Sequence, residues 1–263
     1  MPPAKPLFQQ HQPEGVSALE MTGERTLPDV PPENYWYQRH VVVYEWVARR
    51  VSGKRVVDMA CGEGYGSHIL ASVADEVVGV DANAQAYEHA RLKYRRPNLR
   101  FARELVEDFA EPADAVVFLQ TIEHVTDPDR FLLHFKRLVS ETNGQVIIST
   151  PNVLTLAPRG QEKSSNPWHV REYRPDEFHD LLTRHFQSVD LFGLYNARKL
   201  ALHARVIDIL GLDRDAIHRQ TGWARVLYPG FVSTINSKDF RLCQATDVDG
   251  LEQALDLVAV VRP

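Results

Sequence analysis

Two histidines of this sequence stand among residues that would let them move a proton. His124 follows Glu123 just after an apolar segment, and His169 lies beside Trp168 in a long polar loop. A neutral imidazole accepts a proton near pH 7, and Glu123 could orient His124 or join it on a metal ion. The structural alternatives are a cap for His124 and an ordinary surface loop for His169. We take His124, His169 and Glu123 as the candidate catalytic residues and expect no metal site.

A second candidate site is a turn that carries almost no side chains. After the apolar pair Val56-Val57 the chain reads Asp58-Met59-Ala60-Cys61-Gly62-Glu63-Gly64-Tyr65-Gly66, and a helical pattern follows. A ligand could lie against bare backbone here, and glycine tolerates the positive φ that such a turn needs. Asp81 ends the next apolar run about 20 residues later, where nucleotide-binding folds hold the ribose hydroxyls. The spacing predicts a strand, a turn and a helix that bind a nucleoside.

The elements around these residues alternate between strands and helices. Largely apolar runs such as Asp114–Leu119 and Val146–Thr150 are separated by segments of helical periodicity, which predicts a doubly wound α/β sheet. The chain ends in a last strand, Leu255–Val261. The expected organisation is a flexible tail at 1–20, a lid segment and helix at 21–53, the main domain at 54–195 and 249–263, and a helical insertion at 196–248, read as a cap or a dimer surface.

Composition excludes several classes of protein. The 263 residues are 44% hydrophobic and 25% charged, which are ordinary globular values, and the formal net charge of -5 gives no footprint for nucleic acid. No apolar stretch approaches membrane-spanning length, and the N-terminus lacks the apolar core of a secretory signal. The 2 cysteines predict no disulfide framework. We expect a reduced, cytoplasmic protein without membrane insertion.

Four motifs together resemble the class I S-adenosylmethionine-dependent methyltransferases. They are Asp58–Gly66, Val80-Asp81, Phe118-Leu119-Gln120-Thr121-Ile122-Glu123-His124-Val125 and Ser149-Thr150-Pro151-Asn152. The resemblance implies a Rossmann-like, mostly parallel seven-stranded sheet whose last strand is antiparallel. A closer likeness, to actinobacterial methyltransferases linked to methylated polysaccharides, rests on a second set of segments: Thr22–Arg25, Glu33–Trp36, Arg39-His40 and Asn166–His169.

The resemblance also implies which residues hold S-adenosylmethionine. The backbone of Ala60, Gly62 and Gly64 would pack on its methionine part, with Asp58 near the amino group and Gln120 on the methionine side. Asp81 would hold the ribose hydroxyls. Many family members have an aspartate for the adenine where this chain has Leu105, so either Glu104 or backbone groups take that part. The remaining candidate contacts are Cys61, Ala82 and Arg39. Arg39 could pair with the cofactor carboxylate or with an acidic substrate, and a surface ion pair is the alternative.

These observations lead to an expected activity with open alternatives. We expect an O-methyltransferase that acts on a hydroxyl of a sugar, a polysaccharide precursor or a similar small molecule, with a histidine base. The acceptor could instead be a quinone, a lipid or a natural product, and a homodimer is possible. An NAD(P)-dependent oxidoreductase shares the turn and the acid, but the glycine spacing differs from Gly-x-Gly-x-x-Gly. A nucleic-acid methyltransferase and a catalytically silent binding module are further alternatives.

Overall fold

The structure is a computed structural model that describes residues 6–158, 160–209 and 230–263. Its helices in chain order are α1 (Asn34–Ala48), α2 (Tyr65–Leu70), α3 (Ala84–Lys93), α4 (Pro128–Ser140), α5 (Val153–Leu156), α6 (Pro175–Thr183) and α7 (Arg198–Ile209). Its strands are β1 (Arg55–Met59), β2 (Glu76–Val80), β3 (Leu99–Ala102), β4 (Ala115–Leu119), β5 (Gln145–Pro151), β6 (Ser188–Asn196), β7 (Phe240–Gln244) and β8 (Asp256–Arg262). Short 3₁₀ turns include Pro31–Glu33 and Ile122–His124.

The strands form one sheet in the order β3-β2-β1-β4-β5-β8-β6-β7. Neighbouring strands among β1 to β5 are parallel, and β8 runs antiparallel to both β5 and β6. The doubly wound α/β fold and its antiparallel last strand are thereby confirmed. The expected count of seven is wrong by one, because the described residues include β7, paired antiparallel with β6. This five-residue edge strand is only partly buried, so its apolar signal is weak.

Alternating side chains of the central strands build two cores, one on each face of the sheet. Val116 and Phe118 of β4 pack with Phe135 of α4, whereas Val117 packs with Val47 of α1 on the other face. All five residues of β4 are buried, as expected for a parallel strand covered on both faces. This arrangement brings the carboxyl ends of β1, β2 and β4 to one edge, where ligands of such sheets bind. Among the described residues, no helix is both long and apolar enough to cross a membrane.

The N-terminal residues differ from the expected tail. Phe8 and Glu20 form an antiparallel bridge, and Gln9 and Leu19 are only 5% and 7% exposed. We call residues 6–30 the N-terminal strap, because they lie against the domain and lead into α1. Periodicity did not indicate this, since the buried apolar residues of the strap, Leu19, Leu27 and Val30, follow neither a helical nor a strand spacing. Residues 1–5 of the expected tail lie outside the described residues, as do 210–229 of the expected insertion.

Candidate active site

The glycine turn joins β1 to α2 with three residues in the left-handed region. Ala60, Gly62 and Gly64 have φ values of 55°, 56° and 97°. A Cβ on Gly62 would meet nothing within 4 Å, whereas a Cβ on Gly64 would lie 2.8 Å from the Cβ of Ala90 in α3. Gly64 is therefore required for packing. Gly62 faces open space, and a ligand can approach the backbone there.

The acid at the end of β2 lies beside this turn. Asp81 accepts hydrogen bonds from the backbone N–H groups of Gly62 and Asn83, each at 2.8 Å, one on each carboxylate oxygen. These bonds use one lone pair of each oxygen and leave others free, since a carboxylate has about four acceptor sites. The side chain is half-buried at the edge of the sheet. Asp81 is thus held in place while it can still accept hydrogen bonds from a diol.

Asp58 occupies a different place from the one expected. Its fully buried carboxyl accepts hydrogen bonds from Tyr44 Oη at 3.2 Å and Ser67 Oγ at 2.7 Å. Burial raises its pKa to about 7, although both hydrogen bonds oppose that rise. Tyr44 reaches it across Gly66, where a Cβ would lie 2.1 Å from the tyrosine ring. Asp58 therefore connects α1 and α2 beneath the turn, and each of its carboxyl oxygens already accepts a hydrogen bond from the protein.

Arg39, expected on the cofactor carboxylate, is held by another acid. Its Nε donates to Asp256 Oδ2 at 2.6 Å and its Nη2 donates to the Leu255 carbonyl at 2.6 Å. The side chains of Arg39 and Asp256 are 5% and 1% exposed. This buried pair fastens α1 to β8, and sequence alone could not show it because the partners are 217 residues apart.

Replacing Arg39 with leucine should destabilise the fold without removing a cofactor contact. Loss of one partner from a buried ion pair leaves the other charge uncompensated and typically costs 3–5 kcal/mol, so we expect a loss of about that size in the free energy of unfolding. Urea titration measures it, with Arg49→Leu on the exposed surface as the control. Well below the unfolding midpoint, the affinity for S-adenosylhomocysteine should be unchanged. A large loss of affinity in the folded variant would restore Arg39 to the cofactor site.

The other candidate cofactor contacts surround the turn at the same edge. Gln120 follows β4 with a φ of 51°, and its Nε2 donates to Ser149 Oγ at 3.1 Å. Ala82, Glu104 and Leu105 are exposed, and Leu105 keeps 52% of its surface accessible. Cys61 is buried, and burial raises the pKa of its thiol well above the usual value. Cys61 can therefore contribute backbone but not a thiolate at neutral pH.

His124 presents one ring nitrogen for proton transfer. Its Nδ1 lies 2.9 Å from the Trp168 carbonyl oxygen, and because a carbonyl only accepts, Nδ1 carries the proton. Nε2 is then the basic nitrogen, and its side chain is 23% exposed. Burial lowers the pKa of His124 below its usual value. The ring is therefore neutral at physiological pH, oriented by the backbone, and able to accept a proton at Nε2.

His169 is more fully engaged by its neighbours. Its Nδ1 donates to Glu172 Oε1 at 2.6 Å, and its Nε2 accepts from Asn166 Nδ2 at 2.9 Å. Asn166 cannot flip without loss, because its Oδ1 accepts from the Trp168 backbone N–H at 3.0 Å. The rings of His169 and His124 are perpendicular, with centroids 5.0 Å apart. His169 lies in the site, but its basic nitrogen is already occupied.

Glu123 lies beneath these two rings. It is 1% exposed, and burial raises the pKa of its carboxyl to about 8. Oε1 lies 4.0 Å from His124 Nε2, while Oε2 has no hydrogen-bond partner within the described residues. One ligand atom each from Glu123, His124 and His169 lie within 4.8 Å of one another. Such a set could hold a metal ion, but His169 would first have to release Asn166.

The loop at 160–173 is bound to the site at several points. Its backbone N–H groups at Val170 and Arg171 donate to the Glu123 carbonyl at 2.8 and 3.1 Å. Its last residue, Tyr173, forms an isolated parallel bridge with Asn152, the residue that follows β5. Trp168 remains 46% exposed beside His124, so its ring is available to an incoming molecule.

Comparison with known proteins shows the family. The model of the methyltransferase domain family matches residues 35–201. A probable S-adenosylmethionine-dependent methyltransferase of Mycolicibacterium smegmatis is 36% identical over 252 residues, which cover 94% of this chain and 96% of that protein. The chain belongs to the S-adenosylmethionine-dependent methyltransferases. Its cofactor is accordingly S-adenosylmethionine, as the motifs predicted.

Two more distant likenesses concern part of the sequence and the fold. A ubiquinone biosynthesis O-methyltransferase of Pseudomonas putida (strain ATCC 700007) is 35% identical over 118 residues, covering 41% of this chain and 49% of that protein. A solved structure from Thermotoga maritima, described as a possible histamine N-methyltransferase, superposes with a TM-score of 0.56 over 87% of this chain and 92% of that chain. At 15% identity, that second likeness concerns the fold alone.

The turn of this methyltransferase fits the cofactor on its own geometry. Gly62 has open space where a side chain would stand, so a ligand can approach its backbone. Asp81 Oδ2 lies 2.8 Å from the backbone nitrogen of Gly62, which places the acid beside that space. When bound, S-adenosylmethionine supplies an electrophilic methyl group on a positively charged sulfur. The protein's task is then to align the acceptor and to receive its proton.

Several residues of the site were not found by sequence reasoning. Four residues had no predicted role but have defined hydrogen-bond partners in the structure. They are Glu63 in the turn, Tyr44 and Ser67 around Asp58, and Glu172, which accepts from His169. Of these residues, Glu172 is the one that the sequence could have indicated, since it lies three positions after His169. Burial alone would raise its pKa, but hydrogen bonds from Ser164 and His169 outweigh burial and lower it. It is therefore ionised and orients His169.

Proposed function

We propose that this methyltransferase transfers the methyl group to a hydroxyl of a sugar or polysaccharide precursor, with His124 as the general base. The observation that carries the proposal is the geometry of His124, whose Nδ1 proton is held by the Trp168 carbonyl at 2.9 Å while Nε2 is left to act as a base. A hydroxyl is a weak nucleophile until its proton is removed, and a positioned base typically contributes 10²–10⁴-fold, by order of magnitude.

The proposed cofactor contacts follow the turn and the strand ends. Backbone at Ala60, Cys61, Gly62 and Gly64 supports the methionine part, and Gln120 lies on the same side. Asp81 accepts from the two ribose hydroxyls, a use supported by its position beside the open face of Gly62. The exposed groups at Ala82, Glu104 and Leu105 border the adenine, with Leu105 offering apolar contact rather than an acid.

The sugar part of the proposal is supported by Trp168. Its half-exposed indole lies on the loop whose carbonyl orients His124, so an acceptor stacked on the indole would lie near Nε2. Sugar rings present an apolar C–H face that packs on aromatic rings, while their hydroxyls remain free to react. Glu123 beneath the histidine is largely protonated at neutral pH because burial raises its pKa to about 8.

A second acceptor class is favoured by one observation. Ubiquinone biosynthesis O-methyltransferases are among the partial relatives, and a quinol also presents a hydroxyl on a flat face. An NAD(P)-dependent oxidoreductase gains no support, since the family model and the full-length relative are methyltransferases.

Incubation with methyl-labelled S-adenosylmethionine distinguishes these acceptors. We expect label in a methylated mannoside or glucoside, and loss of the transfer in the His124→Gln variant. Label only in a polyprenylated quinol would contradict the sugar assignment and leave O-methylation in place. Label on an amine, or on neither class in a protein that binds S-adenosylhomocysteine, would contradict O-methylation of these hydroxyls.

A further inference from the structure

Glu63, the one acidic side chain within the glycine turn, points away from the open face into a buried polar cluster. It is 1% exposed and accepts four hydrogen bonds at 2.7–3.0 Å, with donors from the strap, α3 and the residue after α3. The donors are Gln9, His89, Lys93 and Tyr94. Burial alone would raise the pKa of Glu63, but the bonds from His89, Lys93 and Tyr94 outweigh it and lower the pKa. The carboxylate is therefore ionised, and its negative charge is compensated in a buried position.

The N-terminal strap reaches this cluster through Gln9. The Gln9 amide donates to Glu63 Oε1 at 3.0 Å and to the Pro28 carbonyl at 3.2 Å, while its Oε1 accepts from the Leu19 backbone N–H at 3.2 Å. One side chain thus ties both ends of the strap to the turn. Further along the strap, a Cβ on Gly23 would lie 4.0 Å from Trp168 Nε1, so the strap also borders the loop that carries Trp168 and His169.

His89 forms a second connection between the strap and Glu63. Its Nδ1 lies 2.8 Å from the Ser17 carbonyl and its Nε2 lies 2.9 Å from Glu63 Oε1. The ring of His89 thus bridges a carbonyl oxygen of the strap and the carboxylate of the turn. Lys93 adds a third connection, since its ammonium contacts Glu63 at 2.7 Å and Asp29 at 3.4 Å.

We propose that Glu63 is a positioning residue through which the strap and α3 hold the cofactor turn in its binding conformation. Glycines on either side of it, Gly62 and Gly64, give the free backbone many alternative conformations. Restricting the turn before binding removes an entropic cost that the cofactor would otherwise bear, which raises affinity without a new contact. This inference rests on the proposed assignment of the turn to S-adenosylmethionine. It adds the strap, remote in sequence, as a determinant of cofactor affinity.

A charge exchange between Gln9 and Glu63 tests the proposal. Gln9→Glu sets two carboxylates against each other and should raise the Kd for S-adenosylhomocysteine about tenfold, or ~1.4 kcal/mol. Glu63→Gln should raise it by a similar factor, because Lys93 and His89 lose their charged partner. Combining Gln9→Glu with Glu63→Gln restores a donor opposite a carboxylate. The double variant should therefore bind about threefold or more tightly than Gln9→Glu alone, a non-additivity expected only of contacting residues.

The readouts separate positioning from general destabilisation. Isothermal titration well below each unfolding midpoint gives Kd, and steady-state kinetics should show a raised KM for S-adenosylmethionine with kcat nearly unchanged. Gln10→Glu is the matched control, since Gln10 is exposed beside Gln9. An unchanged Kd in Gln9→Glu would overturn the inference even if Glu63→Gln failed to fold. Where both single variants fold, strictly additive effects would also overturn it. Absence of binding by the unmodified methyltransferase would instead contradict the cofactor assignment of the turn.

Discussion

Replacing His124 with glutamine is expected to lower kcat by about 10³-fold, within the range typical of a lost general base. Glutamine can still donate to the Trp168 carbonyl, which now lies 2.9 Å from the ring, but it cannot accept the acceptor's proton. The affinity for S-adenosylhomocysteine should stay the same, because no part of the histidine is needed to hold the cofactor. Single-turnover methyl transfer together with calorimetric titration measures both quantities.

The pH profile and a neighbouring variant make this expectation specific. The base must be neutral, so kcat/KM should fall on the acid side with an inflection below about 6.5, the usual value, because burial lowers the pKa of His124. This acid limb should disappear in His124→Gln. His169→Gln is the matched control, expected to lose roughly tenfold or less, since it removes a support rather than the base. A larger loss from His169→Gln than from His124→Gln would reverse the two roles.

Of the substitutions considered, removing the carboxylate of Asp81 should weaken cofactor binding most strongly. In Asp81→Asn the two charge-assisted hydrogen bonds from a ribose diol become neutral or are lost, and each is worth about 1.5–3 kcal/mol. The amide nitrogen also cannot accept from the Gly62 N–H, now 2.8 Å from Oδ2, so the turn itself is less well held. We expect the Kd for S-adenosylhomocysteine to rise about 100-fold, equivalent to ~2.7 kcal/mol.

Glu104→Gln is the matched control for this variant. Glu104 is an exposed acid next to Leu105, in the segment that the sequence resemblance assigns to the adenine contact. Because water and salt screen an exposed charge, neutralising Glu104 should change the Kd for S-adenosylhomocysteine by about threefold or less. If Glu104→Gln weakened binding as much as Asp81→Asn, Glu104 would be the adenine acceptor that the chain otherwise lacks.

Local patterns were sufficient to predict the sheet and the turn. Apolar runs ending in Asp58 and Asp81, with a glycine-rich turn between them, specify parallel strands and a ligand edge wherever they occur. The position of Gln120 and His124 followed from the same logic, because they come directly after the buried strand β4. Strand number was less certain, since β7 is a short edge strand with one buried residue.

Pairings over long sequence distances could not be predicted. Arg39 and Asp256, or Gln9 and Glu63, are brought together only by the completed fold, and neither pair has a periodic signal. The buried partners of Asp58, in β1, and of Glu63, in the turn, were likewise not predicted. Asp58 was expected at the cofactor and is buried under it, while Glu63 was given no role and anchors the turn.

The choice between the two histidines also depends on the fold. Both have the residue type and loop context of a base, so sequence left them equal. Their hydrogen bonds separate them, because Asn166 donates to His169 Nε2, whereas none of the described residues donates to His124 Nε2. A free lone pair on an oriented neutral ring is what base catalysis requires.

A ternary structure with S-adenosylhomocysteine and the acceptor tests the central claim most directly. The distance that decides it joins the acceptor oxygen to His124 Nε2. We predict about 2.6–3.2 Å, the hydrogen-bonding range of a working base. The same oxygen should lie near the cofactor sulfur, with room for one methyl group in line between them. An acceptor oxygen placed against His169, or one with no histidine nitrogen within reach, would contradict the assignment of His124 as the base.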